Sequence, residues 1–457
     1  MSLRRYQNYK KSGTEWLGDV PEHWRLAALK HNFEIVGGST PKSEVEEFWD
    51  GAIIWVTPAD LSNRSSTWIN ASQRTISEAG LRSCGTTLAP PGSIVLSTRA
   101  PIGSLAIAAT ELCTNQGCKS LVPHVGIQAR YFAYVLGVCT ADLNIRGRGT
   151  TFVELSGDAL GAFHVCVPPT AEQEAIARVL DNETAKIDSL VSEQRQLIEL
   201  LAEKRKAVIT LAVTKGLTRD APLKASGIGW LDDIPTHWVV KPLKYSITKI
   251  EQGWSPQCEA EPADEGQWGV LKVGCGNHDE FDPTEQKALP DGVEPESEYE
   301  VKSGDILVSR GNTLELVGSA TFVRHVRPRL MLSDLLYRFR AQADRFDPEF
   351  LVLSLRSSNG RFQIERSAVG TSPSMKKIGQ GVIRELLFPH PSIAEQHAIV
   401  AFIKAEVAKL DVLVNEAERA VQFLRERRVA LITAAVTGKI DVRETIAGRE
   451  VKEGAAA

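Results

Sequence analysis

The sequence predicts an α+β fold: two tandem mixed α/β heads, separated and joined by two long antiparallel coiled-coil helices, in an internal pseudo-two-fold repeat. Three observations predict it. Ordered blocks of residues recur at offsets of 212–223 positions, each copy closes on a long heptad pattern, and short branched segments bounded by glycine precede that pattern. A chain of 457 residues is also longer than one ordinary core supports.

The repeat is read first because it fixes everything else. SGTEWLGDVPEHW from Ser12 answers SGIGWLDDIPTHW from Ser226, so that Trp16/Trp230, Pro21/Pro235, His23/His237, Trp24/Trp238 and Leu29/Leu243 coincide at an offset of 214. GSIVLS from Gly92 answers GDILVS from Gly304 at an offset of 212. Pro168, Ala171-Glu172-Gln173, Ile176, Asp188 and Val213-Thr214 recur at Pro391, Ala394-Glu395-Gln396, Ile399, Asp411 and Val436-Thr437, all at 223. Drifting offsets between ordered blocks mean a tandem duplication with loop insertions. The boundaries that follow are an N-terminal tail 1–11, a head 12–170, a helix 171–216, a second head 217–393, a second helix 394–440 and a flexible tail 441–457.

Within the heads, Ile94–Thr98 and Ile306–Ser309 read as strands, and helices are expected near Tyr131–Val138 and after Asp347-Pro348, an N-cap with proline at the first helical position. In the first long helix, heptad core positions read Leu180, Glu183, Ile187, Leu190, Gln194, Leu197, Leu201, Lys204, Val208 and Leu211. The second repeats them as Ile403, Glu406, Leu410, Leu413, Ala417, Ala420, Leu424, Arg427, Leu431 and Ala434. Alternating spacings of three and four predict a coiled coil roughly 43 residues and hence about 64 Å long. Antiparallel pairing would bring Glu183 towards Arg427 and Lys204 towards Glu406, whereas parallel pairing would oppose like charges.

Composition is that of a soluble globular protein. No signal-peptide pattern opens the chain and no apolar run reaches the roughly 20 residues of a membrane span, so a cytoplasmic protein is expected. Seven cysteines, none in a CxxC pair, read as reduced, packed thiols. The net charge of −4 hides a patchwork. Residues 74–150 hold seven Lys/Arg against three Asp/Glu and 301–380 hold thirteen against seven, whereas 251–300 hold two against fourteen. Local potential decides affinity for phosphate, and the two basic stretches permit a nucleic-acid partner.

Catalytic motifs are missing from the sequence. There is no GxxxxGK[ST], HExxH or GxSxG, and Gly37-Gly38-Ser39-Thr40 lacks the lysine of a phosphate loop. Pro290-Asp291 before Glu300-Val301-Lys302 formally fits a metal-nuclease pattern, but in only one copy of a shared frame. His23 and His237, each beside tryptophan, read as parts of a packed turn. No catalytic residue, metal ligand or cofactor is expected.

The ordered motifs resemble those of type I restriction specificity subunits. They are the SGxxWLGxxPxHW opening, IIWVTPADL (53–61), PPGSIVLSTRAPIG (90–103), NQGCKSLVP (115–123), GTTFVELS (149–156) and VPPTAEQEAIARVLD (167–181). The second copy answers with GDILVSRG, GTSPSMKKI and PHPSIAEQHAIV, so the resemblance covers residues 10–440. It implies that each head is a target recognition domain reading one half of an asymmetric, bipartite site in double-stranded DNA. It further implies that the helices set the half-site spacing and dock two modification (methyltransferase) subunits, which a restriction/translocase subunit joins, and that the chain itself catalyses nothing.

Reading DNA needs side chains that reach base edges and phosphates. Candidates in the first head are Arg64, Arg99, Asn115, Gln116, Lys119, Arg146, Arg148, Thr150 and Thr151, with the RGRGTT loop at 146–151 leading because glycine lets backbone approach phosphate. In the second they are Arg310, Asn312, Arg324, Ser372, Ser374, Lys376 and Lys377. Two rivals are a stand-alone Mg²⁺ nuclease on Asp291, Glu300 and Lys302, and a coiled-coil scaffold whose heads bind protein or sugar.

Overall fold

A computed structural model describes residues 4–62, 66–99, 101–147, 154–218, 220–258, 261–372 and 375–443. The chain divides into two compact units, residues 1–194 with 419–457, and residues 195–418. Among the described residues no helix is long and apolar enough to cross a membrane.

The first unit contains β1 (Phe33–Gly37), β2 (Trp49–Val56), β3 (Trp68–Ile69), β4 (Ile94–Ser97), β5 (Leu105–Ala108), β6 (Cys113–Thr114) and β7 (Cys118–Pro123), followed by helix α1 (Ala129–Val138) and the start of α2 (Thr170–Lys215). The main sheet has the order β1-β7-β4-β5-β3, while β6 runs parallel to β2 beside it. The second unit contains β8 (Glu251–Gln252), β9 (Gly269–Leu271), β10 (Ile306–Ser309), β11 (Ala320–Phe322), β12 (Leu330–Met331), β13 (Leu336–Phe339), α3 (Pro348–Arg356) and the start of α4 (Ile393–Val436). Its sheet order β8-β13-β10-β11, with β9 parallel to β12, repeats the first arrangement. Apolar, branched strands explain the choice: Ile94, Val95 and Leu96, like Ile306, Leu307 and Val308, are buried on both faces.

The repeated motifs hold each head on its helices. Glu172, in the first turn of α2, accepts hydrogen bonds from Tyr6 Oη, from Trp24 Nε1 (3.2 Å) and from His23 Nε2 (2.9 Å). In the second copy Glu395 takes His237 Nε2 (2.7 Å) and Trp238 Nε1 (3.3 Å). The neighbouring glutamines staple the small helices: Gln173 Oε1 accepts from Gln128 N (3.0 Å) and Gln396 Oε1 from Asp347 N (2.7 Å). Each tryptophan also packs on the glycine that ends the other long helix. Gly438 and Gly216 both adopt φ of +72°, and a Cβ would lie 3.2 Å from Trp24 and 3.1 Å from Trp238 respectively. The tryptophans thus serve packing, as the sequence indicates, while the half-exposed histidines share their carboxylate partner.

Residues 6–11, expected as a tail, belong to the first head. Tyr6 is buried against Trp24, and Tyr9–Lys11 pairs antiparallel with Asp19–Pro21. Val442, expected in the other tail, is also fully buried, packing within the same core. Residues 444–457 lie outside the described residues.

The long helices are antiparallel within each unit, but their seam is phased differently from the sequence expectation. In the first unit Ile176 and Leu180 share a core with Ile432, Ala435 and Val436, and in the second Ala212 and Val213 share one with Ile399 and Ile403. The inward positions are 180, 184, 187, 191, 194, 198, 201, 205, 208 and 212, so every second expected position moves one residue later. Leu190, Leu197 and Leu211 are instead 44%, 41% and 57% exposed. The Gln and Glu anchors at the helix start fix the rotation, and that anchoring overrides the preference for leucine in the seam. The expected pairing of Glu183 with Arg427 and of Lys204 with Glu406 is replaced. Glu183 and Glu406 bond Lys186 and Lys409 on their own helices, while Arg428–Asp188 (3.2 Å) and Arg205–Asp411 (2.8 Å) link the two helices.

Candidate nucleic-acid interface

In each head, four segments distant in sequence meet at one end of the main sheet, and the same backbone hydrogen bonds hold them. Ser39 N donates to Thr114 O (3.0 Å), Thr98 N to Gly117 O (2.8 Å) and Leu155 N to Thr98 O (2.9 Å). The second head repeats these as Trp254 N to Leu332 O (3.0 Å), Arg310 N to Leu335 O (2.7 Å) and Ile378 N to Arg310 O (3.0 Å). The cluster therefore comprises 38–40, 98–99, 114–119 and 154–155 in one head. In the other it comprises 253–255, 310–312, 332–335 and 376–378.

Glycine is required where the first of these segments crosses the third. A Cβ on Gly38 would lie 2.1 Å from Asn115 O and 2.3 Å from Thr114 O, and one on Gly253 would lie 1.9 Å from Leu332 O. Backbone cannot yield that far, so both positions exclude a side chain. These two glycines were not among the expected site residues. Their signal is legible in retrospect, since VGGST (36–40) and EQGWS (251–255) align at a single glycine and a terminal hydroxyl residue.

On this shared frame the side chains differ. In the first head Arg99 forms a β-bridge and an ion pair with Glu154 (3.0 Å), both partners partly exposed. At the matched positions the second head has Gly311 and Lys377, which also bridge, and Lys377 makes no ion pair among the described residues. Gln116 is exposed and accepts the Thr40 hydroxyl, Lys119 is half-buried beside Gly37, and Asn115 turns its Oδ1 inward onto Gly117 N (3.0 Å). In the second head Arg310 Nη1 reaches Asp334 O (3.4 Å), Asn312 Nδ2 donates to Asn277 Oδ1 (3.1 Å) and Lys376 Nζ to Gly370 O (2.6 Å). Ser372 is exposed near them.

Two candidates stand apart from the cluster. Arg146 ends a short helix with its guanidinium 5.1 Å from the Phe163 ring. Arg324 is engaged by Glu349 (2.8 Å), which also takes Lys404. Burial raises the Glu349 carboxyl, but these two cations outweigh it and hold the group below its usual range. Arg64, Arg148, Thr150, Thr151 and Ser374 lie outside the described residues.

Of the residues of the nuclease rival, Glu300 has other partners, while Asp291 is exposed. Glu300 Oε1 accepts Arg329 N (2.8 Å), its carbonyl accepts Arg338 Nη1 (2.7 Å), and Lys302 points to solvent. Among the described residues no group of three or more His, Cys, Asp and Glu could hold a metal ion. The seven thiols are free, and burial pushes those of Cys113, Cys118, Cys166 and Cys275 up to about 12, far from a reactive thiolate.

Comparison with known proteins agrees with this architecture. Residues 21–200 match the family model described as the type I restriction modification DNA specificity domain. The chain is 34% identical over 244 residues to the type I restriction enzyme MjaIX specificity subunit of Methanocaldococcus jannaschii, covering 52% of this chain and 54% of that protein. It is 31% identical over 205 residues to the EcoEI specificity subunit of Escherichia coli, covering 45% and 34%. The matches thus span about half or less of these relatives' lengths. Among solved structures, a chain from work on complex assembly and conformational transition of the type I R-M system aligns with a TM-score of 0.64 at 17% identity, over 91% of this chain and 98% of that one. The HsdS subunit of Thermoanaerobacter tengcongensis aligns at 0.50 and 16%, over 92% and 98%. Residues 21–200, the first head and part of its helix, are thus similar in sequence to type I restriction specificity domains, and the fold is similar to these two solved chains over nine-tenths of its length.

Proposed function

We propose that the chain reads an asymmetric, bipartite site in double-stranded DNA, one half with each head, and docks modification and restriction subunits that perform the chemistry. The observation that carries this reading is the pair of loop clusters held by one hydrogen-bond frame but furnished with different polar side chains. A binder of one repeated ligand would keep both furnishings alike. Gln116, Lys119 and Arg99 in one cluster, and Arg310, Asn312, Lys376 and Lys377 in the other, supply the amide, guanidinium and ammonium groups that read base edges and hold phosphates. Exposed Leu190, Leu197, Leu200, Phe402, Leu413 and Phe423 on the long helices supply the apolar surface for the modification subunits.

Mapping N6-methyladenine across the genome of cells carrying this chain and its modification subunit tests the reading. A split motif is expected, and exchanging residues 12–170 for those of a relative should change one half of it. Methylation without a split motif, or a swap that alters both halves, overturns it.

A further inference from the structure

The two heads differ at one place where both meet the long helices, and the difference identifies a socket. Helices α1 and α3 are matched by their stapled starts, Gln128 and Asp347, which places Gly137 where the second head has Arg356. Arg428 and Arg205 are matched by their interhelical partners, Asp188 and Asp411. In the second unit one carboxylate joins these positions: Asp279 accepts Arg356 Nη1 (2.6 Å) and Arg205 Nη2.

The first unit has neither the second arginine nor that acid. Gly137 carries no side chain, and among the described residues Arg428 has Asp188 as its one ion-pair partner, where Arg205 has two. In the same place lies a cavity of about 490 Å³ whose lining includes Gly137 and Arg428. Trp68, Leu105, Val138 and Ile432 give it apolar walls, and of its charged lining Arg130 is paired with Asp181, which leaves Arg428 as the cation open to a second carboxylate. Val429, on the same helix, also lines the cavity and is 57% exposed.

We propose that this cavity receives an acidic side chain from a helix of the docked modification subunit. Its carboxylate takes on Arg428 the place that Asp279 takes on Arg205. The inference rests on the docking part of the proposed function. The apolar walls, with Val429 exposed at the rim, favour a protein side chain over a nucleic-acid phosphate, which prefers a wholly polar cradle.

The test uses the full-length chain and purified modification subunit, with their dissociation constant measured by calorimetry. Gly137→Leu fills the cavity without disturbing the helix, since a Cβ at Gly137 meets nothing within 4 Å and glycine is a poor helix former. Arg428→Met removes the charge but keeps the stem. Each should weaken the complex at least about tenfold, as expected when one partner of a desolvated charge pair is lost. One Glu or Asp of the partner, changed to its amide, should show no further loss in the Arg428→Met background. Unchanged affinity in Gly137→Leu overturns the socket while leaving the proposed function standing. A change in DNA affinity alone also overturns it. No complex with the unaltered chain overturns both.

Discussion

Replacing Glu172 by alanine should cost the first head more than replacing Glu395 costs the second. Glu172 is 6% exposed and is the acceptor for Tyr6 and Trp24, themselves 5% and 0% exposed. Alanine strands both donors, and at roughly 1–3 kcal/mol for each unpaired buried polar group the loss is about 2–6 kcal/mol. His23 adds little because its ring, 43% exposed, finds water. Glu395 has one fully buried donor, Trp238 at 1% exposure, so its loss should be about 1–3 kcal/mol. Hydrogen exchange read by mass spectrometry on peptides around Trp24 and Trp238 separates the two heads, because each opens with its own free energy. The same samples decide the role of histidine: His23→Gln should retain nearly full protection and undiminished methylation by the assembled complex. Equal losses of protection at the two tryptophans would refute the donor-counting argument. Methylation abolished by His23→Gln with protection intact would refute the packing role.

Three further outcomes are expected. Gly253→Ala forces backbone apart at Leu332 O and breaks the adjoining bond from Trp254 N, so methylation of target sites should slow about tenfold or more, the equivalent of 1.4 kcal/mol, with Gly38→Ala doing the same through the other half-site. His390 is held near pKa 4 by burial first and by the Lys241 charge second. Its folded value is depressed, so above pH 6.5 both states are neutral and its contribution is intact, and as pH falls from 6.5 towards 4 the unfolded chain protonates first. Up to about 3 kcal/mol should be lost across that window, and urea unfolding of His390→Leu should lack this component. A thiol reagent at pH 8 should label Cys84 and Cys258, both partly exposed, well before the five buried cysteines; fast labelling of Cys113 or Cys118 would contradict their placement.

The sequence carried the architecture because duplication and periodicity are long-range signals that survive loop divergence. The paired motifs PxHW and AEQ pointed to one junction per head, where Glu172 and Glu395 meet the tryptophans. The helix seam was misphased because leucine content suggested Leu190 and Leu197, whereas rotation is set by contacts at the helix start that only tertiary structure reveals. The same limit applies to polar candidates. Nothing local distinguishes Arg324, consumed by Glu349, from Lys377, which is exposed in the loop cluster. Asn115 has the composition of a base reader, yet its side-chain oxygen is turned onto Gly117 N. Gly38 was visible only as part of a failed phosphate-loop match, because a requirement for glycine comes from the strand crossing it, not from its neighbours in sequence.

Divergence between the two copies separates the shared frame from the proposed reading surface. Where α1 packs on α2, Arg130 pairs with Asp181; at the matched place α3 presents Glu349 to Lys404 of α4. Both charges have reversed, so what persisted there is the pairing and not either sign. Change at that junction has been compensated, as a load shared between head and helix requires: an uncompensated reversal would oppose like charges in a partly buried site. In the loop clusters the outcome is opposite. Arg99 and Glu154 became Gly311 and Lys377, which keep the β-bridge but lose the ion pair and gain an exposed cation. Backbone geometry was retained there while the side-chain chemistry was left free to differ. A surface whose frame is fixed and whose charges change without compensation is one whose charges answer to something outside the chain, which is the physical content of assigning sequence reading to these loops.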